Sequence, residues 1–547
     1  MACMRVDEAN LLVLVLYLVF TLGSALWVAR RRRSSTVNGG GDDYFLAGRS
    51  LGGVQLGLSL VATTMSSVTF LGYPSTSFRT NWILLNKDFA LPVVCVAAHA
   101  WAVPFFRRQV KLSAFEVLEH RFNLATRLYC SFVYCVLQLA RTCTVLYLAS
   151  LPIARLTGGT QPVVIVCLGL LISGYTVLGG FAAVVFTDVL QTATLLLGGA
   201  LVAAYSVSEA GGLAAVIGNA TAVGKLSLTE DASSAGRSAP LVFLFGLSLY
   251  SLTFTVYQDT VQRYCAASSL HQAWRAVLVT AALALPIWTF FLFIGTSLWA
   301  LSEQPAGAAL LAANAEADDI VSSFVLSYLP PGLGGLVLAG VMAAAMSSLD
   351  SSLNSVAGVL TTDLVQRLHL RGAPLPERRF LVLGRRASVG MAALSVLGAL
   401  ALQNVEKEGM NDLYNGMMSV TGGASASLML LAIFTRSERR GGADAEEDRR
   451  WHTPSIDGAA AVCGILGSGV LSLLLALCSF GAMGESCELS YYWVLPLSNL
   501  AFAGCVLLAV LARRLRLLQR LGLGPRPDEL GLKGAEGGGG VHLELQE

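Results

Sequence analysis

The stretch GLVLAGVMAAAMSSLDSSLNSVAGVLTTD, from Gly335 to Asp363, decides how this chain is read. At 1.5 Å per residue a helix of that length crosses the hydrocarbon core of a bilayer, which takes about 20 apolar residues. Its middle is nonetheless crowded with hydroxyls. Ala344, Ser347, Ser348, Ser351 and Ser355 recur at the i, i+3, i+4 spacing and so share one face. Such a face looks toward protein or a polar cavity rather than lipid. Small residues alone would be explained by close helix packing, but an aspartate and two adjacent serines need more. Asp350 lies just off the stripe, and a carboxylate at membrane depth is costly enough to mark a functional site, here a possible coupling group. The segment reads as a cation-handling helix.

Composition sets the class. Of 547 residues 54% are hydrophobic and only 13% charged, against about 25% charged in soluble domains, and the mean hydropathy is +0.64. This is an all-α, polytopic membrane protein whose first partner is the lipid bilayer. A net charge of +2 with no basic arm excludes nucleic acid as a partner. The six histidines are scattered, and no HExxH, GxSxG, Walker or CxxC spacing occurs, so an enzyme is not expected. Most of the eleven cysteines, including Cys95, Cys130, Cys135, Cys143 and Cys167, fall inside apolar runs and read as buried and reduced.

Leu11 to Ala29 forms a first span closed by Arg30, Arg31, Arg32 and Arg33, which puts that end in the cytoplasm and the amino terminus outside. Apolar spans then follow at about 53–75, 81–106, 125–155, 160–179, 184–206, 240–262, 273–301, 320–362, 380–402, 411–434, 457–481 and 490–513, thirteen helices in all. The loops agree with that number. Basic segments at 106–122, 262–275, 366–386, 436–450 and 513–520 fall on the side of Arg30. The 209–237 loop, the acidic residues Glu316, Asp318 and Asp319, and the segments 406–412 and 485–488 fall opposite. Asn219, in an Asn-Ala-Thr sequon, lies on the outer side where a glycan can be attached.

Two further apolar spans have polar middles. SLVATTMSSVTFLG, Ser59 to Gly72, is too hydroxylic for lipid, and Gly72 with Pro74 marks a break nearby. SLYSLTFTVYQDTVQR, Ser248 to Arg263, is the second. Broken helices free backbone carbonyls that can coordinate a cation, and such backbone persists at membrane depth only when it lines a cavity or is buried in protein. Each polar helix opens a group of five, the arrangement of an inverted-repeat carrier with its site at the midplane. The organisation is then an extra helix in 1–33, a cytoplasmic loop in 34–52, and a first repeat in 53–206. An outer loop in 207–239, a second repeat in 240–434 and an inner loop in 435–456 follow. Two helices in 457–513 and a glycine-rich tail in 514–547 end the chain.

Four motifs, DYFLAGRSLG (43–52), YTVLGGFAAVVFTDVLQT (175–192), VQRYCAASSLHQAWR (261–275) and AAAMSSLDSSLNS (343–355), resemble those of the sodium:solute symporter family. The resemblance implies a LeuT-type core of five plus five inverted helices, with one helix before it and two after. It also implies alternating access, Na+ as the coupling ion, and a small organic solute or anion as substrate. Carried over residue by residue, it assigns sodium to the carbonyls of Ala62, Met65 and Ala344 and the hydroxyls of Ser347 and Ser348. A neutral five-oxygen cage suits a hard monovalent ion that must also leave. Asp188 matches a carboxylate on the sodium release path; the plainer reading is a helix-terminal cap.

The sugar-carrying members' carboxylate–glutamine pair falls here on Val68 and Thr69, which disfavours a hexose. MSSVTFLGYPSTSFR (65–79) and LQLARTCTVLYLASLPI (137–153) resemble the monocarboxylate, multivitamin and iodide branch. Substrate-binding candidates are Thr69, Lys87, Asp88, Tyr257 and Gln258. Adjacent helical residues diverge by about 100°, so Lys87 and Asp88 are not expected to be simple partners, and Lys87 could instead snorkel at the outer surface. The alternatives to a sodium-coupled importer of the plasma membrane are a proton-coupled or uncoupled carrier of the same fold, or a transporter-like solute sensor.

Overall fold

The computed structural model describes residues 8–35, 41–229, 238–305, 307, 320–369, 376–404, 410–435, 458–479 and 490–520. Among them no strand forms, and one isolated bridge joins Leu51 to Ala267. The principal helices are α1 (Glu8–Ser35), α2 (Gly53–Thr64), α3 (Val68–Arg79), α4 (Trp82–Gln109), α5 (Leu124–Thr157) and α6 (Gln161–Gly174). After these come α7 (Gly180–Glu209), α8 (Leu213–Ala222), α9 (Ala239–Thr255), α10 (Gln258–Ala266), α11 (Leu270–Ser302) and α12 (Ile320–Tyr328). The last six are α13 (Leu333–Leu368), α14 (Glu377–Asn404), α15 (Met410–Gly422), α16 (Ser425–Phe434), α17 (Gly458–Ser479) and α18 (Val494–Arg520).

Nine described helices are long and apolar enough to cross a bilayer, or eleven when the bent pairs α2–α3 and α9–α10 each count as one span. Thirteen crossings would also require α6 and the α15–α16 pair, whose apolar pieces are shorter. The single span expected over 320–362 is two helices, α12 and α13, parted by Pro330, Pro331 and Gly332 at φ +89°. Proline ends a helix by removing a donor, and glycine alone enters that left-handed region without strain. Asn219 sits on the exposed face of α8 rather than in an irregular loop. Cys95, Cys130 and Cys143 are buried as expected, whereas Cys167 is exposed on the helix surface. The acidic segments at 316–319 and 485–488 and the tail from 521 lie outside the described residues.

Local sequence accounts for the helix ends. Asn123 caps α5 by accepting from the Thr126 N–H at 3.0 Å, and Gly158 closes it at φ +63°. Ser269 caps α11 through the Gln272 N–H at 3.2 Å.

The centre of the bundle is α13, buried along nearly its whole length against α7, α5, α14 and α1. Small residues set that spacing. A Cβ on Gly340 would stand 3.2 Å from the Thr194 carbonyl and from the Phe70 ring, and one on Gly198 would stand 3.3 Å from the Val337 Cα. In lipid, where apolar surface gains little from leaving the solvent, such close approach is a main source of helix association.

Gly340→Leu therefore overpacks the α7–α13 seam. It is expected to destabilise the fold by about 1–3 kcal/mol, read as a lowered melting temperature of the detergent-solubilised protein, with Leu336→Ala as a control on the same helix.

Candidate functional site

The hydroxyls between α2 and α3 replace the helix ladder that the break interrupts. In an unbroken helix the Ser66 N–H would bond the Ala62 carbonyl; here it is directed at Thr69 Oγ1, 3.4 Å away. The Val68 N–H turns to Ser66 Oγ at 3.2 Å, and Ser67 Oγ donates to the Val145 carbonyl on α5 at 2.9 Å. Met65 is extended at φ −93°, ψ 121°, and the two helices meet at a 59° bend. The pair α9–α10 bends by 50° at Val256 and Tyr257.

The freed Ala62 carbonyl faces α13. Ser347 Oγ lies 3.0 Å from it and 3.2 Å from the Ala344 carbonyl. The neighbouring Ser348 hydroxyl is buried and has no hydrogen-bond partner among the described residues. Buried hydroxyls are rarely left so. The candidate oxygens of Ala62, Ala344 and Ser347 are thus brought together, with Ser348 on the same turn and Met65 at the break. Asp350 is apart from them. It is fully buried, and its Oδ1 accepts from the Ser351 N–H at 2.9 Å.

Asp188 has no exposure to solvent and pairs with the equally buried Arg263, Nη2 to Oδ2 at 2.9 Å. Arg263 also donates from Nε to Ser59 Oγ (2.8 Å) and from Nη2 to Thr63 Oγ1 (2.6 Å) and Ser351 Oγ (2.8 Å). Its Nη1 bonds the Asp259 carbonyl at 2.8 Å. Ser59 Oγ donates to Asp188 at 2.5 Å. The Asp188–Arg263 pair therefore ties α2, α7, α10 and α13 together, and the carboxylate does not cap a helix end.

On the other side of the break lies a cavity of about 730 Å³, counting the space at its mouth, walled in part by Thr69, Lys87, Arg141, Tyr257, Asp259 and Trp288. Two candidates are absent from that wall. Gln258 turns away to brace the segment after α4, accepting from the Ala114 N–H at 2.7 Å and donating to the Leu112 carbonyl at 2.6 Å. Asp88 is fully buried behind the wall. Lys87 is only 4% exposed, so it does not snorkel, and its Nζ lies 3.9 Å from Asp88 Oδ1 despite their adjacency. Arg141 and Asp259, the two other charged residues of the wall, were not anticipated. Arg141 donates from Nη1 to Asp259 Oδ2 at 3.3 Å and from Nη2 to the Thr63 carbonyl. An arginine in the middle of the apolar run 125–155 was the available signal.

A profile of the sodium:solute symporter family matches residues 44–444. The chain belongs to this family. Members of the sodium:solute symporter family similar to it include the sodium/sialic acid symporter NanT of Aliivibrio fischeri, 29% identical over 430 residues that cover 78% of this chain and 83% of that one. The corresponding SiaT of Proteus mirabilis is 30% identical, covering 74% and 81%. The human sodium/iodide cotransporter is 28% identical, covering 71% and 60%. Among solved structures, a Na+-coupled sialic acid symporter in a substrate-bound outward-open state superposes with a TM-score of 0.77 at 25% identity, covering 91% and 96%. Mhp1, at 15% identity and a TM-score of 0.55, shares the fold, covering 86% of this chain and 93% of its own. The chain is thus an integral, multi-pass, LeuT-type symporter that couples a small solute to sodium.

Gln258→Met leaves the Ala114 N–H without its acceptor, at a cost of about 1–3 kcal/mol. It is expected to lower thermal stability without altering which solutes compete for uptake, whereas Tyr257→Ala, on the wall, alters competition.

Proposed function

We propose that the solute is a small organic acid whose carboxylate is received by Arg141, with sodium held by the oxygens of Ala62, Met65, Ala344, Ser347 and Ser348. The observation that supports this reading is that one interrupted helix carries both a candidate cage carbonyl and hydroxyls that line the cavity. Ala62 turns its carbonyl to α13, and Thr63, Thr64, Ser66 and Thr69 face the cavity. Ion and solute then stabilise the same break from opposite sides, which is how binding of one favours binding of the other. The unpartnered Ser348 hydroxyl supports the ion side.

On the solute side, a guanidinium carries five N–H donors in a fork that fits a carboxylate, and its bonds to Asp259 and Thr63 use two. Two of the relatives carry a solute that is an acid by name, sialic acid. The reading is of a carrier and not an enzyme, importing across the plasma membrane, with 53–206 and 240–434 as its two repeats. The bent pair at the head of each unit supports that division.

Uptake into proteoliposomes under an imposed sodium gradient tests it, with labelled organic acids as probes and a pH gradient as the control. Ser347→Ala and Ser348→Ala each remove one hydroxyl oxygen from the cage and are expected to raise half-saturating sodium several-fold. Unchanged sodium dependence in both variants would overturn the cage. Arg141→Gln is expected to cost about tenfold or more in half-saturating acid, the size of losing a charged hydrogen bond of about 2 kcal/mol.

A further inference from the structure

The segment 44–51 fastens two groups of helices to each other. At its start Phe45 is fully buried. Its ring fills a slot that two glycines leave open: a Cβ on Gly384 of α14 would fall 2.9 Å from Phe45 Cζ, and one on Gly358 of α13 would fall 3.5 Å from its Cδ1. Phe380 meets the ring edge-on, at 5.7 Å between centroids. Tyr44, beside it, rests against Gly180 at the head of α7, and the Arg385 guanidinium lies 5.9 Å from the Tyr44 ring centroid. At the other end Leu51 pairs with the turn between α10 and α11, donating to the Ala266 carbonyl at 3.2 Å and accepting from the Ser268 N–H at 2.9 Å. Helix α2 starts two residues later.

One amide assists the ring. Gln262 of α10 donates from Nε2 to the Phe45 carbonyl and, at 2.9 Å, to Asn354 Oδ1 of α13. Gln262 Oε1 and Asn354 Nδ2 have no hydrogen-bond partner among the described residues. Buried amides are normally satisfied at both ends, so this join is incomplete and leaves more of the hold to the seated ring. Between the two anchors the chain turns through Ala47, Gly48 and Arg49 at φ +51°, +59° and +53°. Ala47 and Arg49 are the only non-glycine residues with positive φ among the described residues. Such strain persists only where the surroundings over-determine it.

The seat of the ring belongs to α13 and α14, and the other anchor belongs to α2, α10 and α11. We infer that Phe45 is the latch of the cytoplasmic side. Seated, it holds α2 and α10, one half of each bent span, against α13. Withdrawn, it lets them part and opens a path from the break to the cytoplasm, and the left-handed run relaxes as the ring leaves. The arginines at 30–33 assign the segment to that side. The inference rests on the reading that sodium lies between α2 and α13, because an ion bound across those helices keeps them together and the latch seated.

The reactivity of a thiol at position 361 tests the latch. Thr361 is buried beside the same slot, its Oγ1 3.7 Å from where a Gly384 Cβ would stand. The full-length protein carrying Thr361→Cys is treated with a maleimide in sodium and in potassium, and labelling is followed by mass spectrometry of the peptide, which lies in a stretch with no native cysteine between Cys265 and Cys463. Labelling is expected to be slow with Phe45 in place and slower in sodium. Phe45→Ala is expected to speed it about tenfold or more, Phe45→Leu less, and sodium still to slow it in both. Gly384→Ala, whose methyl takes space from the ring, is expected to speed it as well, yet to add nothing to Phe45→Ala. A rate that all three variants leave unchanged overturns the inference, and so does a raised rate that sodium no longer slows, which marks a local hole only. Sodium that slows no protein, the one with Phe45 included, overturns the placement of sodium instead; the latch then stands if Gly384→Ala adds nothing to Phe45→Ala and falls if it adds.

Discussion

The ion pair of Arg263 with Asp188 is the constraint on which the rest of the structure depends. Both side chains have no exposure to solvent, and two charges taken out of water cost several kcal/mol each unless hydrogen bonds compensate them. The compensation determines much of the sequence around them. Ser59 and Thr63 on α2, Ser351 on α13 and the Asp259 carbonyl on α10 all accept from Arg263. The four sequence motifs converge on this point. Gln262, next to Arg263, donates to the Phe45 carbonyl and to Asn354 Oδ1. Leu51 pairs with 266–268 through two backbone hydrogen bonds, and Gly180, at φ +66°, lets its chain pass against the Tyr44 ring. Motifs far apart in the chain are therefore one object in space.

A second charged cluster fastens the helices at a different level. Asp363 at the end of α13 accepts from Ser113 at 2.7 Å, from Ser131 at 2.6 Å and from Arg127 Nε at 3.0 Å. Glu119 joins Arg127 to Arg367. Burial pushes the Glu119 carboxyl up, but the hydrogen bonds from Arg367 and Arg127 outweigh it and hold the group below its ordinary value. Glu119 and Arg367 fall in the basic segments 106–122 and 366–386 that the charge pattern predicts to be inner, whereas Thr63, a partner of Arg263, also lines the cavity. A carrier needs one side closed while the other admits solute, and ion pairs that tie separate helices supply a closure that can be released.

Much of this was legible in the chain because membrane burial penalises polar residues so heavily that each is informative. The serine stripe of α13 and the hydroxyl run of α2 could be read directly, whereas the break expected near Gly72 and Pro74 lies between Thr64 and Val68, because the hydroxyls of Ser66 and Thr69 take over the backbone partners there. The sequence did not reveal pairing in three dimensions. Arg141 and Asp259 are 118 residues apart, yet their contact places a guanidinium on the cavity wall. Helical angles separated Lys87 from Asp88, but a lysine stem is long enough to return its ammonium to within 3.9 Å of the neighbouring carboxylate. Gln258 stood among the substrate-binding candidates as a polar residue of an apolar span. It instead satisfies a buried N–H and C=O at a loop where the backbone has no ladder, a need equally strong.

The charges around the cavity bear on the order of events. Lys87 stands beside Asp88 and Arg141 beside Asp259, so each cation of the wall has a carboxyl group next to it, and the proposed sodium cage is built of neutral oxygens. Such a site attracts neither ion nor acid by long-range charge. On the proposed reading, sodium in that cage gives the break one uncompensated positive charge in a medium of low dielectric, where Coulomb terms are strong. An organic anion entering across the same break is then favoured by that charge, and its departure leaves the ion less well held. Because coupling free energies are reciprocal, on that same proposed reading the sodium ion is the element that draws an anionic solute in, so the gradient of one can drive the other.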